Sequence, residues 1–79
     1  MVIVDNWTIK DDFLIAEIEV SGYPKRFRAT YKISTEDMQT SEVLPDSVRS
    51  ATKRAIATVY VEFYKGKIKM GRKRGIAWG

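Results

Sequence analysis

The sequence predicts a small α+β domain, a three-stranded antiparallel β-meander packed against one long helix in the second half of the chain. Apolar and polar residues alternate along Phe13–Val20 and again from Lys25 to Ile33, as they do in half-buried strands. Apolar residues then recur at helical spacing over Pro45–Tyr64. The 79 residues are 44% hydrophobic and 30% charged, which is typical of one small globular domain.

The first strand is predicted in two pieces, Val2–Val4 and Trp7–Lys10, with a bend at Asp5-Asn6. Asp11-Asp12 supplies the turn to the second strand. A hairpin closed there is predicted to pair two apolar residues of each strand on one face, Ile9 with Leu14 and Trp7 with Ala16.

The second hairpin is predicted to turn at Ser21–Pro24, a cluster that contains glycine and proline. Placing Val20 opposite Lys25 matches apolar residues on one face and acids with bases on the other. The predicted partners are Ile18 with Phe27, Ala16 with Ala29, Leu14 with Tyr31, Glu19 with Arg26, and Glu17 with Arg28. We therefore expect Arg26 and Arg28 to form structural ion pairs, with Lys32 on the same open face.

Ser34–Leu44 is predicted to be a polar connection that begins with a single helical turn. The helix that follows has Pro45 at its start, Asp46 at the positive end of its dipole and Gly66 as a stop signal. An alternative remains, because the β-branched and aromatic residues of Thr58–Tyr64 also favour a strand. In that case residues 58–70 form a hairpin with its turn at Lys65-Gly66.

Basic residues are concentrated in the helix and the tail. Residues 47–79 contain nine bases and one acid, and six of the bases fall within residues 65–74. Such a run can bind phosphates, and a tryptophan can stack on a base. The predicted nucleic-acid-binding residues of the tail are Lys65, Lys67, Lys69, Arg72, Lys73, Arg74 and Trp78. The alternatives are a solvated terminus or a tail that packs back as a further strand.

The first half of the helix extends this basic surface with Arg49, Lys53 and Arg54. Such residues are also common on the solvated side of an amphipathic helix. The four tyrosines are predicted to be core or boundary aromatics; they are Tyr23, Tyr31, Tyr60 and Tyr64.

Composition argues against an enzyme. The chain has no cysteine and no histidine, so the usual thiolate nucleophile, general base and commonest metal ligands are missing. We expect no metal, no cofactor and no membrane segment, and the lack of a signal-peptide pattern favours a cytoplasmic protein. We predict one α+β domain at residues 1–66 and a basic extension at 67–79.

Three antiparallel strands followed by a helix resemble, in outline, double-stranded-RNA-binding domains and the arm-binding domains of some integrases. The resemblance covers residues 7–64. Ser47 and the run Lys53-Arg54-Ala55 resemble the basic, alanine-containing start of the helix in the RNA-binding family. The helix that precedes the sheet in that family is missing here, as is its loop signature, so no site residues are transferred.

These features predict a small non-enzymatic accessory or regulatory protein that binds DNA or RNA through phosphate contacts, such as bacteriophages encode. The alternative is a protein–protein interaction module, an inhibitor or a homodimeric adaptor. It would use a sheet edge or a surface formed by Trp7, Ile15 and Phe13.

Overall fold

A computed structural model describes residues 1–67 and the short strand at 74–76. These residues form one antiparallel sheet with a single helix on one face, so the predicted α+β class is confirmed. The sheet has five strands in the order β4-β3-β2-β1-β5. The elements are β1 (Val2–Lys10), β2 (Phe13–Val20), β3 (Phe27–Lys32), β4 (Asp37–Thr40), α1 (Asp46–Tyr64) and β5 (Arg74–Ile76).

The predicted register of the second hairpin is confirmed. Ile18 lies opposite Phe27 and Leu14 lies opposite Tyr31, with Ala16 and Ala29 between them. All six side chains are buried on the face that α1 covers. The alternation of apolar and polar residues therefore sets the register, because a slip of one residue would turn this whole row towards solvent.

The predicted bend in β1 is a β-bulge. Val4 pairs with Ile18 and Thr8 pairs with Ile15, so Asn6 and Trp7 together lie opposite the single residue Ala16. Asn6 has a φ of 46°, a conformation that asparagine tolerates better than most residues. The extra residue keeps Trp7 on the buried face, where the side chain is 1% exposed.

The predicted polar connection at Ser34–Leu44 is wrong in its first part. A turn at residues 33–36 replaces the expected helical turn, and β4 follows it. Met38 pairs with Tyr31 and is 3% exposed, so burial of one apolar side chain helps to fix this strand on β3. The backbone N–H of Ser41 donates to the carbonyl of Arg28 at 2.9 Å, which continues the ladder one residue beyond β4.

Residues 58–64 belong to α1, so the hairpin alternative is excluded. Pro45 occupies the N-cap position without a side-chain cap. At the other end the N–H of Lys67 bonds the carbonyl of Glu62 and the N–H of Gly66 bonds that of Phe63, both at 2.9 Å. This is a Schellman motif, and the φ of 77° at Gly66 is the left-handed conformation that it requires.

The core lies between α1 and the sheet. Its buried hydrophobic residues are Val2, Val4, Trp7, Leu14, Ala16, Ile18, Phe27, Ala29, Tyr31, Met38, Leu44, Ala55, Ile56 and Val59. Thr52 is the buried polar residue, and its hydroxyl donates to the carbonyl of Val48 at 2.8 Å. The core is thus enclosed by the sheet on one side and by α1 on the other.

Part of the predicted basic extension belongs to the sheet. In β5, Arg74 lies opposite Val4 and Ile76 lies opposite Val2, which agrees with the alternative of a further strand in the tail. Among the described residues, no helix combines the length and apolar character needed to cross a bilayer.

Candidate nucleic-acid interface

The exposed side of α1 carries the predicted basic residues of the helix. At 3.6 residues per turn, one broad stripe opposite the core contains the residues that we call the outer face of α1. They are Asp46, Ser47, Ser50, Lys53, Arg54, Ala57, Tyr60, Val61, Tyr64 and Lys65. The outer face contains three cations, and its one acid, Asp46, lies in the first turn of the helix, whereas Glu62 lies on another side.

Lys53 and Lys65 are exposed, and neither forms an ion pair with any acid in residues 1–67. The same holds for Lys67, which follows the end of the helix. Their ammonium groups remain hydrated and can exchange counterions for phosphate at little desolvation cost. Arg54 lies beside Lys53 and shares a groove with it.

Arg49 has a different environment from the other predicted helix residues. Its guanidinium donates a hydrogen bond to the backbone carbonyl of Met38 in β4. The ladder bond at Ser41 places Met38 among the residues whose backbone groups point away from β3, so this carbonyl faces the open edge of the sheet. Arg49 therefore covers an edge carbonyl and joins α1 to β4.

A shallow groove separates the outer face from the turn before β4. It is lined by Tyr31, Glu36, Ser50, Lys53, Arg54 and Ala57. Burial raises the pKa of the Tyr31 phenol above its ordinary value of 10.0, and the nearby charges of Glu36 and Tyr60 raise it further. The phenol therefore stays neutral at physiological pH and contributes a polar wall to the groove.

Tyr64 is a residue whose location sequence reasoning missed. It is 80% exposed, although the tyrosines were predicted to be core or boundary aromatics. Its ring centroid lies 6.1 Å from that of Tyr60, with 35° between the ring planes. The helical wheel could have predicted this exposure, because Tyr64 falls between Lys53 and Ala57 rather than beside Phe63.

The bases on the opposite side of the molecule are arranged differently. The guanidinium of Arg26 lies 3.3 Å from a carboxylate oxygen of Asp5, 3.7 Å from Glu19 and 3.9 Å from Glu17. The predicted pair with Glu19 is thus observed. Arg28 lies opposite Glu17 in register, but the Glu17 carboxylate accepts instead from the amide of Asn6 at 2.6 Å.

The alternative protein-binding surface of Trp7, Ile15 and Phe13 does not exist. Trp7 is buried under α1, where its ring meets Phe63, whereas Phe13 is 39% exposed on the other face of the sheet. The β-bulge turns the Trp7 side chain towards the core, because it inserts one extra residue into the alternating in-and-out pattern of β1.

The remaining polar clusters have structural partners. Asp12 accepts hydrogen bonds from the backbone N–H and the hydroxyl of Ser34, which joins two turns at one end of the sheet. The hydroxyl of Tyr23 donates to Glu42 at 3.2 Å, and the amine of Lys25 lies 3.6 Å from that carboxylate. Within the described residues, no group of acids is arranged to hold a metal ion.

The tail is described only in part. Arg74 stands in β5, whereas Lys69, Arg72, Lys73 and Trp78 lie outside the described residues. The predictions for these four residues therefore stand on the sequence.

No protein-family model matches the chain, and comparisons with curated proteins and with solved structures find no match. The resemblance to RNA-binding and integrase arm-binding domains thus depends on the order of strands and helix and on the residues at the start of α1.

Proposed function

We propose that this protein is a small, non-enzymatic nucleic-acid-binding protein with an accessory or regulatory role. It contacts phosphates through the outer face of α1 and through the basic tail, with little preference for base sequence. The observation that carries the proposal is a difference in ion pairing between the two sides of the molecule. Arg26 on the sheet side is surrounded by three carboxylates, whereas Lys53 and Lys65 have no acid partner in residues 1–67.

This separation of charge matters because ion-paired bases cannot release counterions to the same extent as hydrated ones. A phosphate backbone approaching the sheet side would meet Asp5, Glu17 and Glu19 around Arg26. One approaching the outer face would meet Lys53, Arg54 and Lys65, with Glu36 on the far wall of the groove and Asp46 at the start of the helix. The outer face is therefore the side on which a polyanion is attracted.

The test is a titration of labelled duplex and single-stranded DNA and RNA with the intact chain at several salt concentrations. One variant combines Lys53→Gln, Lys65→Gln and Lys67→Gln. Its matched control combines Lys10→Gln, Arg28→Gln and Lys32→Gln, which removes the same charge from exposed positions on the open face of the sheet. Both variants differ from the wild type by the same net charge, so only the location of the lost charge distinguishes them.

We expect the α1 variant to lose affinity and the control variant to keep most of it. Each lost phosphate contact should reduce the slope of log K against log salt by about 0.9 for duplex DNA, or about 0.7 for a single strand. Equal losses in the two variants would mean that net charge alone attracts the nucleic acid. No binding at low salt would refute the proposal.

A second function, pairing of β4 with a strand of another copy of the chain, is favoured by one observation. β4 is an edge strand on which Arg49 covers the carbonyl of Met38, and Val43 just beyond it is 98% exposed. A homodimer formed in this way should persist at high salt, since backbone hydrogen bonds and apolar contacts are little affected by screening. Sedimentation at low and high salt distinguishes this interface from nucleic-acid binding.

A further inference from the structure

The outer face of α1 presents an aromatic surface as well as cations. Tyr64 is 80% exposed, which is unusual for a large ring in so small a domain. The ring of Tyr60 is tilted by 35° to it at 6.1 Å between centroids, and Val61 is 46% exposed. The ring of Tyr64 thus has one neighbouring ring, while most of its surface is open to solvent.

The ring of Tyr64 lies on the same side of α1 as the groove. Helical side chains lean towards the N-terminus of their helix, so Tyr64 leans towards Tyr60 and the groove beyond it. Lys53 and Arg54 line that groove together with the hydroxyl-bearing Ser50. An open aromatic surface and a groove with two bases on its helix side and Glu36 on its other wall therefore follow each other along one line on α1.

The distance between these two features fits a short stretch of polynucleotide. Lys53 and Tyr64 are separated by 11 positions in the helix, which corresponds to roughly 16 Å along its axis. A stacked strand advances about 3.4 Å per nucleotide, so roughly five nucleotides span the two sites. A strand could thus place phosphates in the groove and a base at Tyr64 at the same time.

We infer that the outer face of α1 binds single-stranded nucleic acid, with an unpaired base stacked on Tyr64 and the phosphates contacted by Lys53 and Arg54. This inference rests on the proposed function and narrows it to one class of ligand. In a duplex each base is already stacked on its neighbours and has no open face for the ring. A single strand offers such faces, and stacking of this kind is tolerant of sequence.

The experiment compares the affinity of the intact chain for an oligothymidylate and for a duplex of the same length, at low salt. Tyr64→Ala removes the ring and Tyr64→Phe keeps it, and the exposed position makes both variants compatible with folding, which circular dichroism checks. The matched control is Phe13→Ala, because Phe13 is a partly exposed ring on the opposite face of the sheet.

We expect Tyr64→Ala to weaken single-strand binding by roughly 5- to 150-fold, the range of one stacked base. Tyr64→Phe and Phe13→Ala should stay close to the wild type, and duplex binding should be unaffected by all three. The wild type should bind the single strand more tightly than the duplex.

Two results would overturn the inference in distinguishable ways. If nucleic acid binds but Tyr64→Ala leaves single-strand affinity unchanged, or Phe13→Ala lowers it equally, the stacking site is wrong and the proposed function stands. If neither single strand nor duplex binds, the proposed function fails and the stacking site fails with it.

Discussion

The indole ring of Trp7 meets the ring of Phe63 edge-on, with 5.4 Å between the ring centroids and 82° between the ring planes. One ring comes from the bulge of β1 and the other from the last two turns of α1. The contact therefore links the irregular part of the sheet to the end of the helix from which Lys65 and Lys67 extend. Loss of this contact should weaken both elements together.

We predict that the two rings are energetically coupled. In a double-mutant cycle with Trp7→Leu and Phe63→Leu, the coupling free energy should be about 0.5–1.5 kcal/mol, the range for edge-to-face aromatic pairs. Urea unfolding followed by circular dichroism measures it, because the Trp7 substitution removes a fluorophore. The control cycle pairs Trp7→Leu with Phe13→Leu on the opposite face, and additivity within about 0.5 kcal/mol is expected there.

Substitution of Arg49 should affect mainly the stability of the protein, whereas substitution of Lys53 should affect mainly nucleic-acid binding. Arg49→Gln removes a charge-assisted hydrogen bond to the Met38 carbonyl, so we expect it to lower the free energy of unfolding by about 1 kcal/mol. Lys53→Gln should leave stability unchanged and weaken nucleic-acid binding, because its ammonium group has no partner among residues 1–67. Urea unfolding and oligonucleotide titration of both variants provide the measurement. The reverse pattern would contradict this assignment.

Gly66 should be difficult to replace. Its φ of 77° is strained for a residue with a Cβ, although no atom lies within 4 Å of the Cβ position. We expect Gly66→Ala to reduce the free energy of unfolding by about 1 kcal/mol through backbone strain alone. Gly66→Asn should cost less, because asparagine adopts this conformation more readily. Equal costs for alanine and asparagine in thermal unfolding would argue against the left-handed cap.

Stability should fall in alkaline solution partly because of Tyr31. Burial raises the pKa of its phenol above 10.0 in the folded protein, so the folded state holds the proton more tightly than the unfolded state. The resulting stabilisation is complete below pH 10 and is lost as the pH rises through the folded-state pKa. The free energy of unfolding of Tyr31→Phe should therefore depend less steeply on pH in this range. A parallel curve for variant and wild type would exclude the effect.

Much of the sheet could be predicted because apolar and polar residues alternate along its central strands. Leu14, Ala16 and Ile18 face the helix at every second position, and only one register pairs them with Tyr31, Ala29 and Phe27. β4 gave no such signal, since Met38 is the single apolar residue in four. Its strand forms because β3 offers a free row of backbone donors and acceptors, which is a property of the sheet rather than of the segment.

The sequence predicted where the charged residues of the candidate site lie on the helix. It did not predict the contacts that these residues form. The helical wheel places Lys53 and Arg54 away from the core without any coordinates. The role of Arg49 could not be foreseen, because its acceptor lies in the unpredicted strand β4. Tyr64 was assigned to the boundary from residue type, although its helical position already separated it from Phe63.

The bulge in β1 also has a consequence for how the chain tolerates insertions and deletions. Asn6 and Trp7 share one partner position, so a chain lacking Asn6 would still place Val4 and Trp7 on their present face. A deletion at Thr8 would instead reverse the facing of part of the strand and expose core side chains. The bulge therefore marks the stretch of β1 where this chain can lose one residue without exposing the core.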